Sequence, residues 1–244
     1  MTRKSTNVRL FVDAALGAAQ SVVLSRGQAH YLFSVMRLEP GDSIAVFNGR
    51  DGEWRAEIME AGKKGGTLDV THQSAPQTEP PDLWLLFAPI KKARTDFIVE
   101  KATELGARRI MPVRTRYTNA ERVRTERLRA HAVEAAEQCG GTFVPEIAPV
   151  ANLGELLGDW PDDRRILFCD ENEAGKGQRP PTDAGTGGWA ILIGPEGGFA
   201  PEERATLQGL PMVSTISLGP RILRADTAAV AALALWQAEF GDWR

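Results

Sequence analysis

Short apolar runs separated by glycine-rich turns open the chain. Val8 to Val12, Ser21 to Leu24, Ser43 to Phe47, Glu53 to Ile58 and Thr67 to Val70 are β-prone, and Pro40-Gly41-Asp42, Asn48 to Gly52 and Gly62 to Gly66 punctuate them. Strands at this spacing predict a small β-barrel or sandwich, with Gln28 to Arg37 as its one helical interruption. Three prolines then crowd the polar stretch from Ser74 to Pro81. Such a segment is semi-rigid and predicts a boundary between residues 1–75 and 76–244.

Beyond the linker the pattern alternates. Leu83 to Ala88, Arg109 to Val113, Arg165 to Cys169, Ala190 to Ile193 and Val213 to Leu218 read as strands. A helix capped by Thr95, with Asp96 in its first turn, carries Ile98, Ala102 and Leu105 on one face and stops at Gly106. The next places Leu128, Ala132, Ala135, Ala136 and Cys139 on one stripe and ends at Gly140-Gly141. Pro201-Glu202-Glu203 starts another, and Ala225 to Ala238 forms the last. Alternation of this kind predicts a mainly parallel sheet covered by helices on both faces. Glu173 to Gly188, rich in Gly, Pro and Thr, reads as a surface loop.

The length of 244 residues fits two modest domains, and 43% hydrophobic with 25% charged residues is an ordinary globular balance. Two cysteines, Cys139 and Cys169, predict reduced thiols rather than a disulfide framework. They lie apart from each other and from His30, His72 and His131, so no metal site is expected. Met1 to Asn7 has no apolar stretch behind its basic residues, and the longest apolar helix segment, Ala228 to Trp236, has only nine residues. Neither a leader nor a membrane span is expected, and a cytoplasmic protein is.

Net charge changes the picture more. The total is −3, yet residues 91–131 carry twelve Lys or Arg against five acids, a local +7. Pairs such as Arg122–Glu126 on a solvated helix face account for part of it. Lys91, Lys92, Arg94, Arg114 and Arg116 instead stand at element ends, where a polyanion reaches them.

Two turns carry the candidate chemistry. The strand through Ile193 runs into Gly194-Pro195-Glu196-Gly197-Gly198-Phe199, and Val213 to Leu218 runs into Gly219-Pro220-Arg221-Ile222-Leu223-Arg224-Ala225-Asp226-Thr227. Ligands gather beyond the carboxyl ends of strands in α/β sheets, and glycines let backbone approach them. Neither string is G-x-G-x-x-G or a Walker A loop, which excludes the common dinucleotide and nucleoside-triphosphate readings. Arg224 reads either as a substrate-facing guanidinium or as an ion-pair partner of Asp226 or Glu196. Asp226 and Thr227 are candidate helix caps.

These two strings resemble the hallmark motifs of SPOUT methyltransferases, and within them the RsmE family, which methylates N3 of a uridine in 16S ribosomal RNA. Lys101 to Gly106, Glu137 to Gly140, Val144 to Ile147 and the pattern His30…Met36-Arg37 to Asp42…Phe47-Asn48-Gly49 resemble it too. The resemblance implies a PUA-like β-barrel at residues 1–75 and a SPOUT α/β domain with a C-terminal trefoil knot at 76–244. It also implies a homodimer and S-adenosylmethionine as cofactor, lined by Gly194, Pro195, Glu196, Gly197, Gly198, Leu218, Gly219, Ile222, Leu223 and Thr227. Arg37, Lys91, Lys92, Arg94, Arg114 and Arg116 are the expected RNA contacts. The chain departs from the family at Gly141, where many relatives carry Arg, and at Ala225-Asp226-Thr227, where many carry Thr-Glu-Thr.

Methyl transfer to a nitrogen is an in-line displacement that needs alignment above all. Arg224 is the expected stabiliser of a uracil anion. Glu196 is either the proton acceptor or a carboxylate that positions Arg224 or the cofactor. Cys139 reads as a small buried hydrophobe, since N3 needs no thiolate attack on the ring. A SPOUT enzyme with another RNA target and a non-enzymatic RNA-binding assembly factor are the alternatives.

Overall fold

The computed structural model describes residues 5–62, 64–119, 123–176 and 187–243. Arg122 and its expected pair with Glu126, Lys63, and most of the Glu173 to Gly188 loop fall outside these residues. The chain divides into two units, Met1–Glu79 with Ala136–Val144, and Pro80–Ala135 with Pro145–Arg244.

The first unit is built on one five-stranded sheet, ordered β1-β3-β4-β5-β2. Its strands are β1 (Ser5–Phe11), β2 (Ser21–Val23), β3 (Ser43–Phe47), β4 (Glu53–Gly62) and β5 (Gly65–Ala75). The β1–β3 pair is parallel and the other three pairs are antiparallel. Alternate residues Ala56 and Ile58 on β4, and Leu68 and Val70 on β5, are buried with Ile44, Val46 and Leu32, the period of two expected of a strand with one face inward. The expected helix over Gln28 to Arg37 resolves into α1 (Arg26–Ala29), opened by a Ser25–Gln28 capping box, and a π-helix over His30–Val35. Arg37 then takes φ +56°, left-handed backbone that side chains rarely adopt.

Arg9 explains why residues 136–144 belong with this sheet. Its guanidinium pairs with Glu53 Oε2 at 2.6 Å and donates to the carbonyls of Ala136, Glu137 and Gly141. Carbonyls at a helix end have no partner within the helix, and one cation here takes up two of them together with the Gly141 carbonyl just beyond. The Glu137 carboxylate answers by accepting from the Phe11 amide at 2.8 Å.

The second unit is an α/β sheet of seven strands, all paired in parallel. The order is β12-β10-β11-β6-β7-β8, with β9 also on β7. The strands are β6 (Leu83–Phe87), β7 (Arg109–Arg114), β8 (Glu146–Ile147), β9 (Ala151–Asn152), β10 (Arg164–Cys169), β11 (Gly188–Ile193) and β12 (Val213–Ile216). Helices α2 (Lys92–Glu104), α3 (Thr125–Cys139), α4 (Leu153–Gly158), α5 (Pro201–Gly209) and α6 (Ala225–Glu239) connect and cover them. The expected mainly parallel sheet is present. Sequence patterning missed β8, β9 and α4, because two residues are too few for a strand period and six too few for a helical one.

Helix boundaries correct three expectations. Thr95 does not cap α2, which starts three residues earlier at Lys92; its hydroxyl instead exchanges hydrogen bonds with the Ile90 amide and carbonyl, each 3.1 Å. Arg224, not Asp226 or Thr227, occupies the cap position of α6, while Asp226 accepts from the Thr227 amide at 2.8 Å inside the first turn. On α3 the stripe Leu128, Ala132, Ala135 and Ala136 is buried, whereas Cys139, the last helical residue, is exposed. Gly106 does end the α2 segment, at φ +73°, and a Cβ there would stand 2.8 Å from the Gln237 amide of α6. That buried amide donates to the Leu105 carbonyl at 2.6 Å and ties the two helices together.

Strand β11 is buried at every residue, between β10 and β6. Ile191→Ala at its centre should therefore cost about 2–5 kcal/mol of unfolding free energy, read as a lower urea midpoint with an unchanged slope. A loss below about 0.5 kcal/mol, typical of exposed positions, would contradict this account of the core.

Candidate active site

Because the strands are parallel, their carboxyl ends lie along one edge of the sheet, where ligands collect in open α/β folds. There Cys169 ends β10 and Asp170 follows it, Gly194 follows β11, and Leu218 and Gly219 lie just past β12. These segments enclose a cavity of about 300 Å³. Nine residues expected from the sequence line it: Gly194, Pro195, Glu196, Gly198, Leu218, Gly219, Ile222, Leu223 and Arg224. Two do not. Thr227 is exposed on the first turn of α6, and Gly197 lies outside the lining, against Tyr117.

The glycines have specific work here. A Cβ on Gly194 would run into the Phe199 ring, and one on Gly198, at φ +71°, into the Glu171 carboxylate. The Gly198 amide donates to the Pro195 carbonyl at 2.9 Å and closes the turn. At these two positions only bare backbone fits.

A third wall went unread in the sequence. Cys169, the last residue of β10, and Asp170, Glu171 and Ala174 after it face the same cavity. The Asp170 side chain is fully buried and pairs with Arg204 of α5 at 2.8 Å, while Glu171 takes the same guanidinium at 3.0 Å. Burying a carboxylate is costly unless it is paired and hydrogen-bonded; Arg204 and the Asn172 amide, 3.0 Å away, meet both needs. Asp170 and Glu171 stand before the first glycine of this segment, Gly175, and carry no motif of their own.

The basic residues sort into distinct settings. Lys91 and Lys92 beyond β6, and Arg114 and Arg116 at the end of β7, are exposed along the same carboxyl edge. Tyr117 stands beside them, half exposed. Arg37 is exposed in the first unit and lines a separate cavity there with Arg9, Tyr31, Glu39, Asp42 and Glu137. Arg94 differs. Its guanidinium is taken up by Glu196 and reaches Asp226 Oδ2 at 3.7 Å, so it is drawn into the loop cluster rather than left free for a phosphate. Arg224 was weighed as the partner of those carboxylates. Among the described residues it makes no ion pair and sits exposed at the cavity rim.

No helix among the described residues is long and apolar enough to cross a membrane. Among the same residues no group of His, Cys, Asp or Glu is arranged to hold a metal ion.

Comparison with known proteins gives this arrangement its context. A family profile described as an RNA methyltransferase domain matches residues 77–237, and one described as an RNA methyltransferase PUA domain matches residues 24–71. The ribosomal RNA small subunit methyltransferase E of Rickettsia conorii is 31% identical over 93% of each chain. The crystal structure of that enzyme from Neisseria gonorrhoeae, bound to S-adenosyl methionine, covers 98% of this chain and 100% of its own, with TM-score 0.84 and 27% identity. A methyltransferase structure from Legionella pneumophila, in complex with the same cofactor, covers 97% and 99%, with TM-score 0.87 and 26% identity. The class defined by fold and site is a SPOUT-type RNA methyltransferase with a PUA-like domain. The chain belongs to the ribosomal RNA small subunit methyltransferase E (RsmE) family.

Burial pushes the Cys169 thiol well above the usual range for cysteine, and only a thiolate attacks disulfide reagents. A native titration with Ellman's reagent at mildly alkaline pH should register Cys139 alone, with Cys169 appearing on denaturation. Fast reaction of both thiols in the folded chain would refute the burial of Cys169.

Proposed function

We propose that this chain transfers a methyl group from S-adenosylmethionine to N3 of a uridine in 16S ribosomal RNA. One observation carries the reading: both Gly-Pro turns open on a single cavity with the Arg224 guanidinium at its rim. When bound, the cofactor supplies an electrophilic methyl group on a sulfonium. The residues present fit it. Ile193, Leu218, Ile222, Leu223 and Ala228 give an apolar wall suited to an adenine ring. The bare backbone of Gly194 and Gly219 allows close approach, and Asp170, Glu171 and Glu196 set negative charge near a cationic ligand.

The chain's own part is positioning and electrostatics. Arg224 faces the place where charge develops on the uracil as N3 loses its proton, and a preorganised cation there lowers the barrier. Glu196 is engaged with Arg94, which favours the positioning role over that of proton acceptor. Lys91, Lys92, Arg114 and Arg116 hold RNA phosphate along the carboxyl edge, and Arg37 does so from the PUA-like module. In this reading residues 1–75 form the RNA-holding module and 76–244 the knotted methyltransferase module of a cytoplasmic homodimer. Leu235, an apolar side chain 50% exposed on α6, supports the dimer.

N3-methylation blocks the Watson–Crick edge. Primer extension across 16S RNA should show a stop that disappears when the gene is disrupted and returns with the wild-type copy. An unchanged stop pattern points to a different target. Arg224→Ala should lower turnover by about 100-fold or more while cofactor affinity measured by calorimetry is kept; collapse of that affinity would make Arg224 a structural residue instead.

A further inference from the structure

Arg94 makes the longest-range polar contacts around the cavity, yet it is not part of the cavity wall. It projects from the first turn of α2 and is two-thirds buried. Its two partners come from the two different turns that form the cavity. Glu196 belongs to the turn after β11 and lines the cavity directly. Asp226 lies one residue past Ala225, which lines it, and is itself off the wall. One guanidinium thus bridges residues 196 and 226 from a third element, contacting Glu196 through Nη1 and Asp226 through Nε at 3.7 Å.

We propose that Arg94 is a positioning residue for the cofactor site: it holds the Gly194–Gly198 turn against the start of α6, so that the cavity is already shaped before S-adenosylmethionine arrives. This rests on the methyltransferase reading above and adds a role for a residue that touches neither ligand nor reacting atoms. Three glycines within five residues give that turn many conformations to lose on binding. A clamp that removes them beforehand lowers the cost of binding. When the competent form is only partly populated, apparent affinity falls by the same fraction. The planar guanidinium presents Nη1 to Glu196 and Nε toward Asp226 in a fixed fork, a geometry that the compact, freely rotating ammonium of lysine holds less well. The carboxylates are partly open to solvent, 45% for Glu196 and 19% for Asp226. Screening therefore keeps the effect modest.

The test compares cofactor and RNA affinity in the purified full-length chain, with S-adenosylmethionine measured by calorimetry and a 16S fragment by fluorescence anisotropy. Wild type must bind the cofactor; if it does not, the methyltransferase reading itself fails, whatever the variants do. Given that binding, Arg94→Ala should weaken cofactor affinity about five- to tenfold, with the melting temperature and RNA affinity kept. In turnover assays KM for the cofactor should rise while kcat at saturation holds. Arg94→Lys should restore part of the loss. Asp226→Asn, which preserves shape and lies off the wall, should weaken affinity in the same direction, and adding Arg94→Ala to it should cost less than it does alone. Unchanged cofactor affinity in Arg94→Ala overturns the clamp, and lost RNA affinity alongside it makes Arg94 a phosphate contact. Strictly additive effects of the two substitutions overturn it as well. Should Arg94→Ala fold poorly, Arg94→Gln and Asp226→Asn carry the same comparison.

Discussion

Everything at the candidate site depends on the ladder of hydrogen bonds that holds β10, β11 and β6 parallel and in register. Arg164 pairs with Gly188 at one end and Cys169 with Ile193 at the other, and Trp189 to Ile193 meet Leu83 to Phe87 residue for residue. Parallel pairing sends every carboxyl end to the same edge. A strand buried on both faces also resists a slip, because a shift of one residue would exchange its two faces and put side chains of the wrong volume into close-packed sites. The starting edge is pinned separately. The buried Arg164 guanidinium takes the Asp82 carboxylate at 2.6 Å, donates to the Trp189 carbonyl at 3.1 Å and stacks on Trp84 at 3.7 Å. With one end of three strands fixed, the turns at the other end have a defined place from which to meet.

That geometry assigns the charges more sharply than their sum does. A total of −3 conceals the +7 of residues 91–131, and the structure subdivides the +7 again. Arg127 is paired with the buried Asp96 across α2 and α3, and Lys101 with Glu104 at 2.7 Å. Arg109 lies over the Trp84 ring and pairs with Glu146. These cations belong to the scaffold. Those still exposed at the sheet's carboxyl edge are Lys91, Lys92, Arg114 and Arg116, a smaller and better-placed set for a polyanion than the count in the sequence.

The sequence made legible what local chemistry dictates. Buried strands, glycine stops at Gly106 and Gly140, and the two Gly-Pro turns all follow from short-range constraints, and of the eleven residues those turns were expected to bring to the site, counting Arg224, nine line the cavity and only Gly197 and Thr227 do not. Three things lay beyond it. Asp170 and Glu171 join the wall because a neighbouring strand ends there, which depends on strand order rather than on any turn signature. Cys139 follows the apolar stripe of α3 yet is exposed, since periodicity describes a helix interior and not its last turn. Residues 136–144 group with the first sheet because Arg9, more than a hundred residues away, supplies donors to their carbonyls.

Arg94 shows why the last kind of information is hardest to read. By position it is one more cation near a helix start, indistinguishable from Lys91 and Lys92. Its role is set by partners 102 and 132 residues further along, brought within reach only once β6, β11 and β12 share an edge. The departure at Asp226 fits the same logic. A carboxylate one methylene shorter than glutamate still sits 3.7 Å from Arg94 Nε while its other oxygen takes the Thr227 amide. Two demands on one short side chain fix its rotamer, and a fixed carboxylate is what a clamp between two turns needs. The shorter residue is therefore compatible with the cofactor site, and its contribution runs through Arg94 rather than through the ligand.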